Sequence, residues 1–125
     1  MNLKSTILLV EDSGFQREFA TQCLKEIGFQ RIIEAKDGIE AFKYLQRIKA
    51  SLVISDWEMP NLDGLGLFEK LKNDLIYESI LSILLTTKDE KENIISARKA
   101  GVNHYLLKPL EKKYYIKNLR PFSVK

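Results

Sequence analysis

Apolar and polar positions along the chain follow two rhythms. Short apolar runs stand at 6–10, 32–35, 52–55, 83–86 and 105–107. Each holds five residues or fewer, with little polar alternation. Runs of this kind suit strands buried on both faces of a parallel sheet. The segments between them have helical spacing. After Ser13, the residues Phe15, Phe19, Cys23, Leu24 and Ile27 share one face. Ser13 and Gln16 have capping-box spacing, and Gly28 supplies a left-handed stop. A second helix is expected from Asp37, with Glu40 three residues on, burying Ile39, Phe42, Leu45 and Ile48. A third follows Asp63 and uses Leu67, Phe68, Leu71 and Leu75. A fourth starts near Asp89, with Glu92 three residues on, buries Ile94, Ile95 and Ala97, and stops at Gly101. A fifth runs from Glu111 to about Leu119 and ends at Pro121.

Strand and helix thus alternate five times. The pattern predicts an α/β fold, a doubly wound five-stranded parallel sheet with helices on both faces. In such sheets ligands bind beyond the carboxyl ends of the strands, where strand order reverses.

Composition agrees with one compact domain: 125 residues, 45% hydrophobic and 30% charged. The net charge of +3 is unevenly spread. Residues 101–125 hold six Lys or Arg against one acid, while residues 1–100 hold 14 bases and 16 acids. The basic excess is therefore local and is not read as a nucleic-acid footprint. One cysteine, Cys23, excludes an internal disulfide and a Cys-rich zinc site. One histidine, His104, excludes a multi-histidine metal site. No apolar run approaches the ~18 residues of a membrane span, and the apolar stretch after the N-terminus is too short for a signal peptide. The expectation is a cytoplasmic protein with no membrane insertion.

The strand ends carry the chemistry. Strand one is followed at once by Glu11 and Asp12, strand three ends at Asp56, strand four at Thr86, and strand five at Lys108-Pro109. One common order for such sheets, 2-1-3-4-5, makes strands one and three neighbours. Glu11, Asp12 and Asp56 then converge. Three carboxylates in one pocket repel, and a cation relieves the cost. Oxygen ligands in an open site suit Mg²⁺. Lys108 and the Thr86 hydroxyl would flank the same pocket as donors, the set needed to hold a phosphoryl group. A lone Asp after a strand is more often a helix cap, and a lone Thr more often a plain strand residue. It is the combination that favours a site.

These residues resemble the receiver domain of two-component response regulators, the CheY-like fold. The resemblance rests on Glu11-Asp12, Glu34-Ala35-Lys36-Asp37-Gly38, Ser55-Asp56-Trp57-Glu58-Met59-Pro60 with Asp63-Gly64, Thr86, and Ala100-Gly101 through Lys108-Pro109, and it covers nearly the whole chain. That family has the 2-1-3-4-5 order, so the order rests on the resemblance as well. The resemblance implies that Asp56 accepts a phosphoryl group from a phosphohistidine on a sensor histidine kinase or phosphotransfer protein. It implies Mg²⁺ held by Asp12, Asp56 and the backbone carbonyl of Glu58, with Glu11 acting through water. Thr86 and Lys108 would contact the phosphoryl oxygens, and Tyr105 would rotate inward behind Thr86. A cis Lys108-Pro109 bond is implied too. The added charge would change the surface of helix four, strand five and helix five, and so control an output partner. On this reading the chain is a phosphoacceptor rather than an enzyme in the usual sense. Residues 1–120 form the receiver domain and 121–125 a tail, either standing alone or as a module of a longer regulator.

Two departures stand out. Glu58 follows the phosphoacceptor by two residues and Lys88 follows Thr86 by two. Both positions line the entrance for attacking water in this family, so a Glu58–Lys88 pair is expected to slow loss of the phosphoryl group. Asn103-His104 stands where many DNA-binding regulators carry an acidic pair used in dimerisation. Trp57 is read as a partly exposed loop aromatic near the pocket, His104 as a surface residue and Cys23 as an inert core residue. Three other readings compete. A phosphatase of the haloacid dehalogenase type would need its nucleophile after the first strand. A flavodoxin-like flavin carrier would need a Ser/Thr/Gly-rich loop there. A receiver-shaped module that is never phosphorylated would not need the intact acids, Thr86 and Lys108.

Overall fold

A computed structural model describes residues 1–109 and 111–123. Its elements run β1 (Thr6–Val10), α1 (Gly14–Ile27), β2 (Arg31–Ala35), α2 (Gly38–Leu45), β3 (Leu52–Asp56), α3 (Gly64–Lys72), β4 (Leu81–Thr86), α4 (Lys91–Lys99), β5 (His104–Leu107) and α5 (Lys112–Leu119). The strands form one parallel sheet in the order β2-β1-β3-β4-β5. This is the doubly wound arrangement that the sequence pattern predicts. No helix among the described residues is long and apolar enough to cross a membrane.

Side-chain alternation along the strands divides the core in two. Leu8, Val10, Val53 and Leu84 face one side, with Ala41, Leu45, Leu67, Phe68, Leu71 and Ala97 from α2, α3 and α4. Ile7, Leu9, Leu52, Ile54, Ile83 and Leu85 face the other, with Cys23 and Leu24 from α1 and Tyr115 and Leu119 from α5. Burial on both faces holds for the inner strands only. In the edge strands, Arg31, Glu34, His104 and Leu107 are exposed, because an edge strand has a neighbour on one side alone.

The helices begin and end near the predicted positions, but several turn a different face inward. Ser13 accepts the N–H of Gln16 at 3.3 Å. Its own N–H goes to Glu11 Oε2 at 3.1 Å, so a preceding acid fills the place of the expected capping box. Phe15 is 84% exposed and Phe19 is on the surface, since the first turn of α1 starts beyond the carboxyl ends of the strands. In α2, Gly38 and Ala41 face inward and Ile39 is exposed. A Cβ on Gly38 would meet Leu62 O at 2.4 Å, so close backbone approach sets which face of α2 is buried. Helix α2 ends at Leu45, which leaves Ile48 in the following loop. Leu75 belongs to a separate 3₁₀ turn, Leu75–Tyr77, and is exposed. Helix α4 starts after Glu90 rather than Asp89, with no side-chain cap bond, and buries only Ala97 while Ile95 is exposed. Helix α5 ends at Leu119, before Pro121 as expected, and a 3₁₀ turn, Arg120–Ser123, follows it. Phe122 there meets His104 edge-on, with ring centres 5.2 Å apart. The last two residues of the expected tail, Val124 and Lys125, lie outside the described residues.

Candidate phosphoryl site at the carboxyl end of the sheet

Register places the acids. Val10 of β1 aligns with Ser55 of β3, so Glu11 and Asp56 leave adjacent strands side by side. Glu11 and Asp56 are buried and Asp12 is exposed. Each offers a carboxylate oxygen within 4.8 Å of the others. Asp56 is held from behind by the turn into α3. Gly64 N–H bonds Trp57 O at 2.9 Å, and a Cβ on Gly64 would lie 2.2 Å from Asp56 O. Only glycine allows that approach.

Lys108 enters from the end of β5, where its bond to Pro109 is cis. Its ammonium lies 2.7 Å from Asp56 Oδ1 and donates to Glu11 Oε1 at 3.0 Å. It also donates to Gln16 Oε1 at 2.8 Å. Arg17 supports the same corner by donating to Glu11 O at 2.8 Å, while pairing with Glu34 at 3.1 Å. The sequence pattern marked Gln16 only as a capping-box partner of Ser13 and did not mark Arg17. Their role depends on α1 starting beside the acids, which only the packed fold sets.

One ammonium among three carboxylates leaves the pocket negative. Burial lifts Glu11 above the ordinary carboxylate range, and the Asp56 charge adds to this. Burial likewise lifts Asp56, although Lys108 pulls it back. For Lys108, burial opposes the charge, but pairing with Asp56 and Glu11 outweighs it and holds the ammonium high. The buried Asp56 Oδ1 is held by the Lys108 ammonium at 2.7 Å. A buried carboxylate beside two further acids, with a single ammonium to offset them, fits a hard divalent cation. The cluster could hold a metal ion.

Thr86 is fully buried at the end of β4. Its hydroxyl accepts the Lys88 N–H at 3.0 Å and donates to Glu58 Oε2 over a long 3.4 Å. Lys88 Nζ lies 3.9 Å from Glu58 Oε2 and 5.3 Å from the centre of the Trp57 ring. The expected Glu58–Lys88 pair therefore forms, as a wide, half-exposed contact. Tyr105 is half-buried and its hydroxyl donates to the Lys88 carbonyl. Its ring meets Trp57 edge-on at 6.3 Å. Trp57 is 7% exposed, so it is a core residue and not a loop aromatic in solvent. Lys88 and Tyr105 close over it, a contact between distant segments that no local pattern signals. Beside the acids, Phe15, Lys108 and Pro109 line a cavity of about 500 Å³ between α1 and the start of α5.

The fold and this constellation together define a class. The family described as the response regulator receiver domain matches residues 7–120. The chain belongs to that family, whose members are regulatory phosphoacceptors. Among its relatives is the chemotaxis protein CheY1 of Helicobacter pylori, 36% identical over 104 residues, spanning 82% of this chain and 84% of that protein. Among solved structures, the chemotaxis response regulator CheY4 of Vibrio cholerae superposes with a TM-score of 0.87 at 25% identity, covering 94% of this chain and 98% of that one. The Mn²⁺-bound form of response regulator Rcp1 gives a TM-score of 0.81 at 26% identity, covering 94% and 91%.

Proposed function

We propose that the chain is a phosphorylation switch with Asp56 as its phosphoacceptor. The observation that carries this reading is the Asp56 carboxylate, buried beside Glu11 and Asp12 with the Lys108 ammonium 2.7 Å from its Oδ1. A carboxylate oxygen of Asp56 attacks phosphorus, the O–P bond forms, and the N–P bond of a donor phosphohistidine breaks. The leaving imidazole takes up a proton from water. Lys108 offsets charge that gathers on the phosphoryl oxygens, and Thr86 offers a hydroxyl once it leaves Glu58. Asp12, Asp56 and the Glu58 carbonyl would hold Mg²⁺, with Glu11 acting through water. The Mn²⁺-bound relative supports a divalent ion at such a site. When bound, the ion would neutralise part of the phosphoryl charge.

The donor is a sensor histidine kinase or phosphotransfer protein, and the exposed Phe15 beside the pocket offers it an apolar contact. Phosphorylation adds about −1.5 to −2 charges at neutral pH. Drawing Thr86 and Lys108 toward that charge releases the Lys88 and Tyr105 contacts behind them. The surface of α4, β5 and α5 changes as a result, and an output protein or domain reads it.

The test uses acetyl phosphate or beryllofluoride with Mg²⁺, read by intact mass and Trp57 fluorescence. The wild-type chain gains one phosphoryl mass and its fluorescence shifts. Asp56→Asn does neither. Labelling that persists in Asp56→Asn, or none in the wild type, sinks the assignment.

A further inference from the structure

The pole opposite the acids, where the strands begin, carries its own surface. Leu75 and Ile76 are 81% and 75% exposed, more than any other Leu or Ile among the described residues. They are not frayed. Asp74 Oδ1 accepts the Ile76 N–H at 3.1 Å. Tyr77 N–H bonds Asp74 O at 3.0 Å, Glu78 N–H bonds Leu75 O at 3.2 Å, and Ile80 N–H bonds Tyr77 O at 3.1 Å. The Tyr77 ring anchors the turn edge-on against Phe42, 6.0 Å away. A fixed turn thus holds two large aliphatic side chains in water, an arrangement that marks a contact surface.

Next to this knob lies a groove of about 690 Å³ between the end of α2 and the start of β4. Leu45, Ile48, Ile76 and Leu81 line it, and Arg47 and Lys49 stand at its rim. The knob is flanked in sequence by Asp74 and Glu78. All four of these charged residues are exposed, and none makes a salt bridge among the described residues. An acid-flanked apolar knob thus sits beside a groove of mixed apolar and polar lining that carries two bases. Ile76 belongs to both, so one two-fold rotation can seat each knob in the other copy's groove.

We propose that this pole binds a second copy of the same chain as a two-fold pair. Leu75 and Ile76 enter the groove, while Asp74 and Glu78 face Arg47 and Lys49 across the axis. The contact lies away from Asp56 and from the α4, β5 and α5 surface, so both stay open in the pair. It does not depend on phosphorylation, and its failure leaves the Asp56 reading intact.

Sedimentation velocity and light scattering, run from micromolar to millimolar protein, test the pairing. The mass is expected to rise from 14.5 kDa toward twice that value. Leu75→Asp with Ile76→Asp should weaken pairing at least about tenfold. These side chains are exposed, so unchanged circular dichroism and thermal midpoint confirm that the variant folds. A charge swap gives a stricter test. Arg47→Glu with Lys49→Glu in one chain, and Glu78→Lys in another, should each weaken self-pairing, while an equimolar mixture restores it. A mass fixed at 14.5 kDa over the whole range overturns the proposal. So does a pair that survives the Leu75 and Ile76 changes, or a mixture that stays monomeric.

Discussion

The two sides of the sheet are built to different tolerances. Around β1, β2 and β3, the helices α1, α2 and α3 are each capped by a side chain, from Ser13, Asp37 and Asp63. Gly38 and Gly64 bring backbone against backbone there. Around β4 and β5, neither α4 nor α5 has a side-chain cap bond. Helix α4 buries Ala97 alone, although α5 is anchored by Tyr115 and Leu119. Glu11, Asp12 and Asp56 belong to the tightly built side, and Thr86 and Lys108 to the looser one. The contrast suits a switch. On the proposed function the acids need a fixed frame, whereas Thr86 and Lys108, drawn toward a new charge, need a low cost of movement.

The largest expected effect comes from disturbing the frame. Gly64→Ala places a methyl group 2.2 Å from the Asp56 carbonyl oxygen and 2.8 Å from Leu84 Cδ1. Overpacking of this kind costs up to about 3 kcal/mol. Urea unfolding at neutral pH should show the loss, and labelling of Asp56 should slow as its backbone shifts. A variant as stable as the wild type would mean that the frame yields easily, and the contrast would fail.

On the looser side, Lys108→Ala should slow labelling by acetyl phosphate about 100-fold, the usual cost of removing one charged donor from a reacting group. Binding of the divalent ion should persist, because the three carboxylates remain. Equal loss of metal binding and labelling would instead mark Lys108 as a structural prop for the acids. Tryptophan fluorescence with titrated Mg²⁺ separates the two.

Caps give a smaller and more direct comparison. The Glu40 N–H bond, above all, holds the Asp37 carboxyl below its usual value, with burial opposing and Asn61 assisting. A depressed folded value means that the carboxylate stabilises the protein above the unfolded pKa of about 3.9 and stops doing so as pH falls through the lower folded value. Asp37→Ala should therefore cost about 1 kcal/mol at pH 7, with the gap to wild type narrowing in acid. On α4, Glu90→Ser should do the reverse and add up to about 1 kcal/mol by supplying a missing cap. Denaturation midpoints at neutral and acid pH measure both. No gain from Glu90→Ser would show that α4 is already held by other means.

The sequence made the frame easier to read than the moving parts. Uninterrupted apolar runs such as Leu8-Leu9-Val10 have few alternatives to a buried strand, and Asp37 and Asp63 cap locally, within three residues. Which way a helix faces is not local. Periodicity put Phe15 and Ile39 on apolar stripes, but both are exposed; in α2 the approach of Gly38 to Leu62 brings Gly38 and Ala41 inward beside the expected Leu45 and Phe42. Asp56 and Lys108 were legible from the strand ends. Gln16, which completes the Lys108 contacts, was not, because it is 92 residues distant in the chain. Trp57 was misplaced for the same reason, since Lys88 and Tyr105 bury it from another strand.

The smallest expected effect sits where the two sides meet. Glu58 follows β3 and Lys88 follows β4, and their charges are 3.9 Å apart at side-chain exposures of 52% and 39%. A half-exposed pair of that kind is worth at most about 1 kcal/mol, or roughly fivefold in a rate. Either Glu58→Asn or Lys88→Ala should speed loss of the phosphoryl group from Asp56 by a few-fold, measured by the decay of the phosphorylated mass. If the two act as a pair, the double variant should be no faster than the single ones. Added salt should speed the wild type and leave the variants nearly unchanged, because screening removes only what they have already lost. Additive effects would instead assign separate jobs, with Glu58 holding the Thr86 hydroxyl and Lys88 covering Trp57. An unchanged rate in both single variants would show that the pair does not govern loss of the phosphoryl group.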